Sequence, residues 1–245
     1  NNGITQKSKF CMVLNDYCET LPASPVDNKS NPSYSPFLEG TYDYVTDGPV
    51  KDDSSGHEFY VLKSGKRVYT NDVKVFTGYN MPLNNIEIKN YVESTAAETS
   101  FYIKLDWRVP FNVTIKPQSY TKGFNSRVHN LKDGKFTGEY MDLTFYYTTA
   151  PIGNVAFPES GVIKSMKWIE NTEKQTVTLR IYFRETGKFF GYNICYDENN
   201  FLVVSIKEPS YSLSDRVIMV DPGHGGNQPV LQPPVLQLCL RRWRQ

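Results

Sequence analysis

An all-β fold, specifically an antiparallel β-sandwich, is predicted by three features of this chain. Short segments alternate strictly between apolar and polar residues, turn signals fall at regular spacing between them, and helical periodicity is weak throughout. Composition agrees: the 245 residues include 17 Tyr and 14 Phe, with Asn and Ser filling the breaks between strand patterns. That length suffices to bury a substantial core.

Residues 1–56 carry little periodicity and many breakers, as in LPASPVDNKSNPSYSP and TDGPVKDDSSG. They are expected to form an irregular leader lying across a surface. From Glu58 the pattern changes. EFYVL and KRVYT flank Lys63-Ser64-Gly65, a hairpin signal. In SFYIKLDWRV, Phe101, Ile103, Leu105 and Trp107 alternate with Tyr102, Lys104, Asp106 and Arg108, so one face is buried and the other wet. Pro110 breaks this run and FNVTIK resumes it. LKDGKFTG is a turn cluster leading into YMDLTFYYTT. In TVTLRIYFR, Val177, Leu179, Ile181 and Phe183 share a face. Glu185-Thr186-Gly187 then turns the chain, KFFGYNICY returns, Asp197 to Asn200 turns again, and FLVVSIK follows, a pattern that reads as a three-stranded meander. The best short helix candidate, Asn90–Glu98, runs straight into a strand pattern. The blocks 101–116 and 178–207 share a strand–turn–strand form and read as two halves of one sandwich.

Net charge is +1, and the dense basic run is confined to Arg241, Arg242 and Arg244. No nucleic-acid partner is expected, because polyanion binding needs a clustered basic face. No stretch reaches the roughly 20 apolar residues of a membrane span, and NNGITQKSKF lacks the order of a signal peptide. Among four cysteines, Cys11 and Cys18 are close enough to bridge if the chain turns between them. Cys195 sits in a strand pattern as a small buried residue, and Cys239 lies near the end. Asn28-Lys29-Ser30 and Asn112-Val113-Thr114 match glycosylation sequons, a pattern common by chance.

Near the end stands VIMVDPGHGG, Val217–Gly226. An apolar run of strand length meets a sharp turn in which Pro222 fixes φ and three glycines permit conformations closed to other residues. A strand ending in a glycine-rich turn that presents a histidine can hold a ligand at a sheet edge, and neutral imidazole binds zinc. One ligand alone makes no site, and DPGHGG also reads as a plain tight loop.

VIMVDPGHGG resembles the first strand and first zinc-ligand loop of the zinc-dependent N-acetylmuramoyl-L-alanine amidases, cell-wall hydrolases that open with DPGHGG. The resemblance implies that His224 is the first zinc ligand and that the full-length enzyme uses zinc. In that family a Glu, a second His and a catalytic Glu follow. Here NQPVLQPPVLQLCLRRWRQ contains no His, Asp or Glu, so this chain is expected to lack catalytic residues, to hold no stoichiometric zinc and to be inactive alone. His57 and His129 have no ligand-like spacing to His224 and read as surface or turn residues. The family commonly continues with Pro-Gly-Ala. If the residues after Pro229 were encoded GTG CTG CAG CCG CCG GTG CTG CAG after a codon ending in G, a start one base earlier would give Gly-Ala-Ala-Ala-Ala-Gly-Ala-Ala and restore NQPGA. Residues 229–245 are therefore expected to be a frame-shifted or non-native tail.

The resemblance also implies organisation and role. Residues 57–212 would be an accessory sandwich of the type called AMIN, which localises such enzymes to the wall. Residues 213–228 would begin a truncated catalytic domain, with Val217–Val220 an orphan C-terminal strand. The expected partner is peptidoglycan or another wall polymer, and the expected location is extracellular, at the cell wall. The alternative is a stand-alone carbohydrate-binding or adhesion sandwich. Exposed aromatic faces suit sugars, whose C–H surfaces stack on rings. Candidates are Trp107, Trp168, Tyr146 and Tyr147. Trp107 shares the apolar face of Phe101 and is expected in the core; Tyr146 and Tyr147 are strand neighbours, so one must point outward. Arg180, Arg184, Glu185 and Lys188 read either as an acidic-polymer site or as an ordinary solvated face.

Overall fold

The computed structural model describes residues 7–22, 35–51, 56–117, 119–120, 128–129, 131–132, 135–152, 161–187 and 189–208. The first six strands, β1 (Lys7–Val13), β2 (Leu21–Pro22), β3 (Tyr42–Lys51), β4 (Glu58–Leu62), β5 (Lys66–Tyr69) and β6 (Val73–Tyr79), build one sheet in the order β2-β5-β4-β3-β1-β6. Next come β7 (Asn84–Ser94), β8 (Glu98–Lys104) and β9 (Phe111–Lys116), then the short pairs β10 (Ser119–Tyr120) with β11 (Val128–His129) and β12 (Leu131–Lys132) with β13 (Lys135–Phe136). The chain continues through β14 (Tyr140–Tyr146), β15 (Thr148–Ile152), β16 (Ile163–Asn171), β17 (Thr176–Phe183), β18 (Tyr192–Tyr196) and β19 (Leu202–Lys207). Among the described residues the helical content is one 3-10 turn, Thr70–Asp72, and no helix is long and apolar enough to cross a membrane.

The sandwich is a four-stranded sheet, β16-β17-β14-β9, facing a five-stranded sheet, β15-β7-β8-β19-β18. Alternation produces it. Along β14, Met141, Leu143 and Phe145 are buried while Tyr140, Asp142, Thr144 and Tyr146 face outward. Val177, Leu179, Ile181 and Phe183 do the same from β17. They meet Phe101, Ile103, Leu202, Val204 and Ile206 of the opposite sheet in one continuous apolar cluster. Removing this surface from water is the main term holding the two sheets together. The pairing is antiparallel apart from β15 with β7.

Four sequence readings change. The 1–56 leader is not irregular throughout, because it supplies β1, β2 and β3 to the six-stranded sheet. The three-stranded meander is split: β17 pairs with β14 and β16, whereas β18 pairs with β19 in the other sheet. The crossover passes Gly187 and Gly191, both at positive φ, and Phe183 and Phe189 pack together across it with ring centroids 4.8 Å apart. Asn90–Glu98 is strand and connecting turn, since β7 runs to Ser94 and β8 starts at Glu98. Cys11 and Cys18 are not bridged and stand as buried thiols; burial raises the proton affinity of both, Cys18 to about 12.

Other readings hold. Lys63-Ser64-Gly65 joins β4 to β5, with the Gly65 amide donating to the Leu62 carbonyl at 3.0 Å. The 101–116 and 178–207 blocks each place strands in both sheets of the sandwich. VIMVDPGHGG, the orphan strand, residues 209–228 and the 229–245 tail, with Cys239, lie outside the described residues.

Candidate functional site

The six-stranded sheet closes against one end of the sandwich through polar contacts as well as apolar ones. Asp43 of β3 is fully buried, and its Oδ1 accepts from the Tyr147 hydroxyl at 2.5 Å and from the Tyr44 amide at 2.7 Å. Its Oδ2 meets no hydrogen-bond partner. Burial raises the Asp43 carboxyl to about 6, against opposing pulls from Ser64, Tyr147, the Tyr44 amide and Lys66. Ser64 stands near enough to act electrostatically, although its hydroxyl oxygen has no partner of hydrogen-bonding geometry. Lys66, at the start of β5, is buried too. Its ammonium donates to the Ser35 carbonyl at 2.8 Å and to the Phe111 carbonyl at 3.4 Å, and stands over the Phe37 ring. Burial lowers it to about 7 despite the Asp43 charge. Ser35 completes the junction by accepting from the Val113 amide at 2.9 Å. Buried polar groups of this kind cost stability unless partnered, so the network fixes one docking geometry between the two sheets.

Over this junction opens a groove of about 580 Å³, inside the range of roughly 300–1,000 Å³ typical of small-molecule sites. Its floor is the outer face of the four-stranded sheet. Thr144 stands opposite Thr178, and Tyr146 opposite Thr176. Thr178 in turn faces Ile169, and Thr176 faces Asn171. The Thr144 and Thr178 hydroxyls bond each other at 2.8 Å. Lys174 and Gln175, from the β16–β17 turn, line one part, and Lys63, from the β4–β5 turn, lines another. The groove is therefore shared between the sandwich and the N-terminal sheet.

Tyr146 and Tyr147 take different roles within it. Tyr146 ends the outward-facing row of β14, half-buried, and its hydroxyl accepts from Asn112 Nδ2 at 2.8 Å. Tyr147 follows the strand at φ 55°, a left-handed conformation uncommon for an aromatic residue. That turn drives its ring inward, where it stacks on Trp107 with centroids 5.8 Å apart and meets Tyr44 edge-on at 5.1 Å. Its carbonyl accepts from the Asn84 amide at 2.8 Å. Gln175, also in the groove, has φ 51° and is held by hydrogen bonds to Thr148 and Thr172. Residues held in such conformations are over-determined by their surroundings and cluster at ligand sites.

The remaining sequence candidates are placed as follows. Trp107 is core, 6% exposed, with its indole N–H donating to the Pro82 carbonyl at 3.0 Å. Trp168 is partly buried against the core from edge strand β16. Arg180 makes a two-pronged pair with Asp142, at 2.7 and 2.8 Å, and Arg184 donates to the Gly161 and Ile163 carbonyls. Both guanidinium groups are thus committed within the protein. Glu185 lies in the turn after β17, and Lys188 lies outside the described residues. His57 packs edge-on against Tyr69. His129 belongs to β11, and His224, the sequence-predicted zinc ligand, lies outside the described residues. No group of three or more His, Cys, Asp or Glu with metal-holding geometry occurs among the described residues.

Sequence reasoning named Tyr146 and Tyr147 but missed Asp43, Lys63, Lys66, Asn171, Lys174 and Gln175. Their convergence depends on a sheet packed across the end of the sandwich, which no local pattern records. Compared with known proteins, the chain matches no family model, no curated protein and no solved structure.

Proposed function

We propose that this chain is the wall-attachment region of a zinc-dependent N-acetylmuramoyl-L-alanine amidase, and that it holds a cell-wall glycan in the groove over Tyr146 and Tyr147. The observation that carries the binding part is the make-up of that groove. The half-buried Tyr146 supplies ring surface for sugar C–H groups, Asn171 and Gln175 supply amides, and Thr144, Thr176 and Thr178 supply hydroxyls. Two of its residues are held in left-handed backbone conformations, which fixes the backbone at those two points. The amidase part rests on VIMVDPGHGG alone. Zinc would be held through His224, in company with ligands of the family's kind that the last nineteen residues do not contain. When bound, it would polarise the scissile amide and activate water.

Sedimentation with purified peptidoglycan tests the reading. The chain is expected to pellet with the sacculi, and Tyr146→Ala to leave it in the supernatant while the fold persists. It is also expected to release no stem peptides. Failure of the unaltered chain to sediment contradicts wall attachment, and chelator-sensitive release of peptides contradicts the inactive assignment. A stand-alone glycan-binding or adhesion module is the second reading, favoured by the fact that every residue of the groove lies upstream of the amidase-like decapeptide. Coding DNA downstream of Gly226 separates the two, since an amidase domain in any frame supports the first.

A further inference from the structure

We propose that the groove selects an acidic glycan, one bearing carboxylate or phosphate groups, over a neutral one. This deepens the glycan-binding reading and rests on it. The charge of the lining carries it. Lys63 and Lys174 line the groove, and no carboxylate does. Lys63 reaches it from the β4–β5 turn, its ammonium 5.0 Å from the Tyr44 ring centroid and 5.8 Å from that of Tyr147. Those ring faces restrain the side chain over the tyrosine floor, at the point where the sugar would lie. Lys174 stands in the opposing turn, where its backbone amide donates to Asn171 Oδ1 at 2.9 Å. That contact takes one of the two lone pairs of the Asn171 side-chain oxygen, and the two N–H groups of the same amide are donors suited to anionic oxygen.

The surrounding acids, Glu173 apart, are turned away or spent. Glu170 pairs with Val177, whose side chain faces the core, so strand alternation sends Glu170 to the face opposite the groove. Asp142, next along the same outer face, is neutralised by Arg180. Asp43 lies buried beneath the Tyr147 ring with that hydroxyl bonded to it. Glu173, exposed in the same turn as Lys174, is not part of the lining. The lysines thus face solvent above a floor without opposing charge, and an anion placed there meets two ammonium groups while its ring rests on Tyr146.

Calorimetric titration of the full chain tests this with three soluble probes. One is a neutral N-acetylglucosamine oligomer. The second is peptidoglycan glycan stripped of stem peptides, whose lactyl groups are free carboxylates. The third is a phosphate-bearing polyol polymer. An acidic probe is expected to bind about three- to tenfold more tightly than the neutral one at low salt, and whether carboxylate or phosphate does so identifies the source of the anion. Raising the salt to about 0.5 M should erase the preference, because exposed charges are then screened. Lys63→Gln combined with Lys174→Gln should abolish it. Lys164→Gln, an exposed lysine elsewhere on β16, should leave it intact. Equal affinity for neutral and acidic probes overturns the charge selection while the glycan site stands. No binding of any probe overturns the site itself.

Discussion

In the sandwich, each strand turns one face to an apolar core and the other outward, so β14 and β17 read as clean alternations. In the six-stranded sheet ahead of it, β1 is buried on both sides. Phe10 packs on Tyr44 and Phe76 on one face, while Cys11 and Val13 enter a separate small apolar cluster on the other. The sandwich is held by dry burial of large side chains. The junction of the two units is held by Asp43, Tyr147, Lys66 and Ser35, polar groups that stabilise only while each keeps its partners. The difference places rigidity in the sandwich and pH-sensitivity at the junction, directly beneath the groove.

The largest expected effect lies in the sandwich. Leu143 is fully buried at its centre, and Leu143→Ala should cost about 3–5 kcal/mol, the range for a cavity that its neighbours cannot fill. Denaturant midpoints measure it, and a cost below about 1 kcal/mol would mean the two sheets are not packed face to face.

The junction should respond less and differently. Tyr147→Phe keeps the ring and removes the hydroxyl that Asp43 accepts from, leaving a buried carboxyl short of a donor at a cost of about 1–3 kcal/mol. The loss should appear in unfolding and in weaker glycan binding together. A loss confined to stability would detach the junction from the groove.

Acidity acts at the junction. Asp43 titrates at about 6 in the fold against an ordinary 3.8, so between about pH 4 and 6 the native chain holds a proton that the unfolded chain has released. Its contribution to stability is therefore present at low pH and lost as pH rises through about 6. Lys66, lowered from 10.5 to about 7, makes the native chain poorer in protons above pH 7, so its contribution grows from about pH 7 toward 10.5. Subtracting the stability of Asp43→Asn from that of the unaltered protein should isolate the lower limb, falling from pH 4 to 6. A flat difference contradicts the buried-acid assignment.

A smaller effect distinguishes two turns. Gly48 lies at φ 113°, and a Cβ there would stand 2.7 Å from the Phe59 carbonyl, whereas Gly65, at φ 82°, faces open space. Gly48→Ala should cost about 1–3 kcal/mol and Gly65→Ala less, by thermal unfolding. Equal costs would show that the β3–β4 contact gives way.

The same contrast explains what was legible. Leu179 and Phe101 sit in segments whose polar partners alternate with them, so the sandwich strands and the core position of Trp107 follow from period two. β3 has no such signature. Its inward residue is Asp43, its pairing with β4 shifts register twice, and Asp47-Gly48-Pro49 within it reads locally as a turn. β1 fails for the opposite reason, since burial on both faces removes alternation. The β17–β18 step is not legible because a tight hairpin and a crossover between sheets share glycine-rich turn chemistry, and tertiary pairing places β17 and β18 in different sheets. Of the groove, the tyrosine pair was visible. Lys63 and Gln175 are more than a hundred residues apart, and meet only because the β4–β5 turn folds onto the sandwich.

Nuclear magnetic resonance mapping with a soluble peptidoglycan glycan fragment tests the proposed glycan site most directly. Saturable shifts concentrated at Lys63, Tyr146, Asn171, Gln175 and Thr176 are predicted. Saturable shifts confined to the outward face of β8 and β19, with these five unmoved, would contradict it.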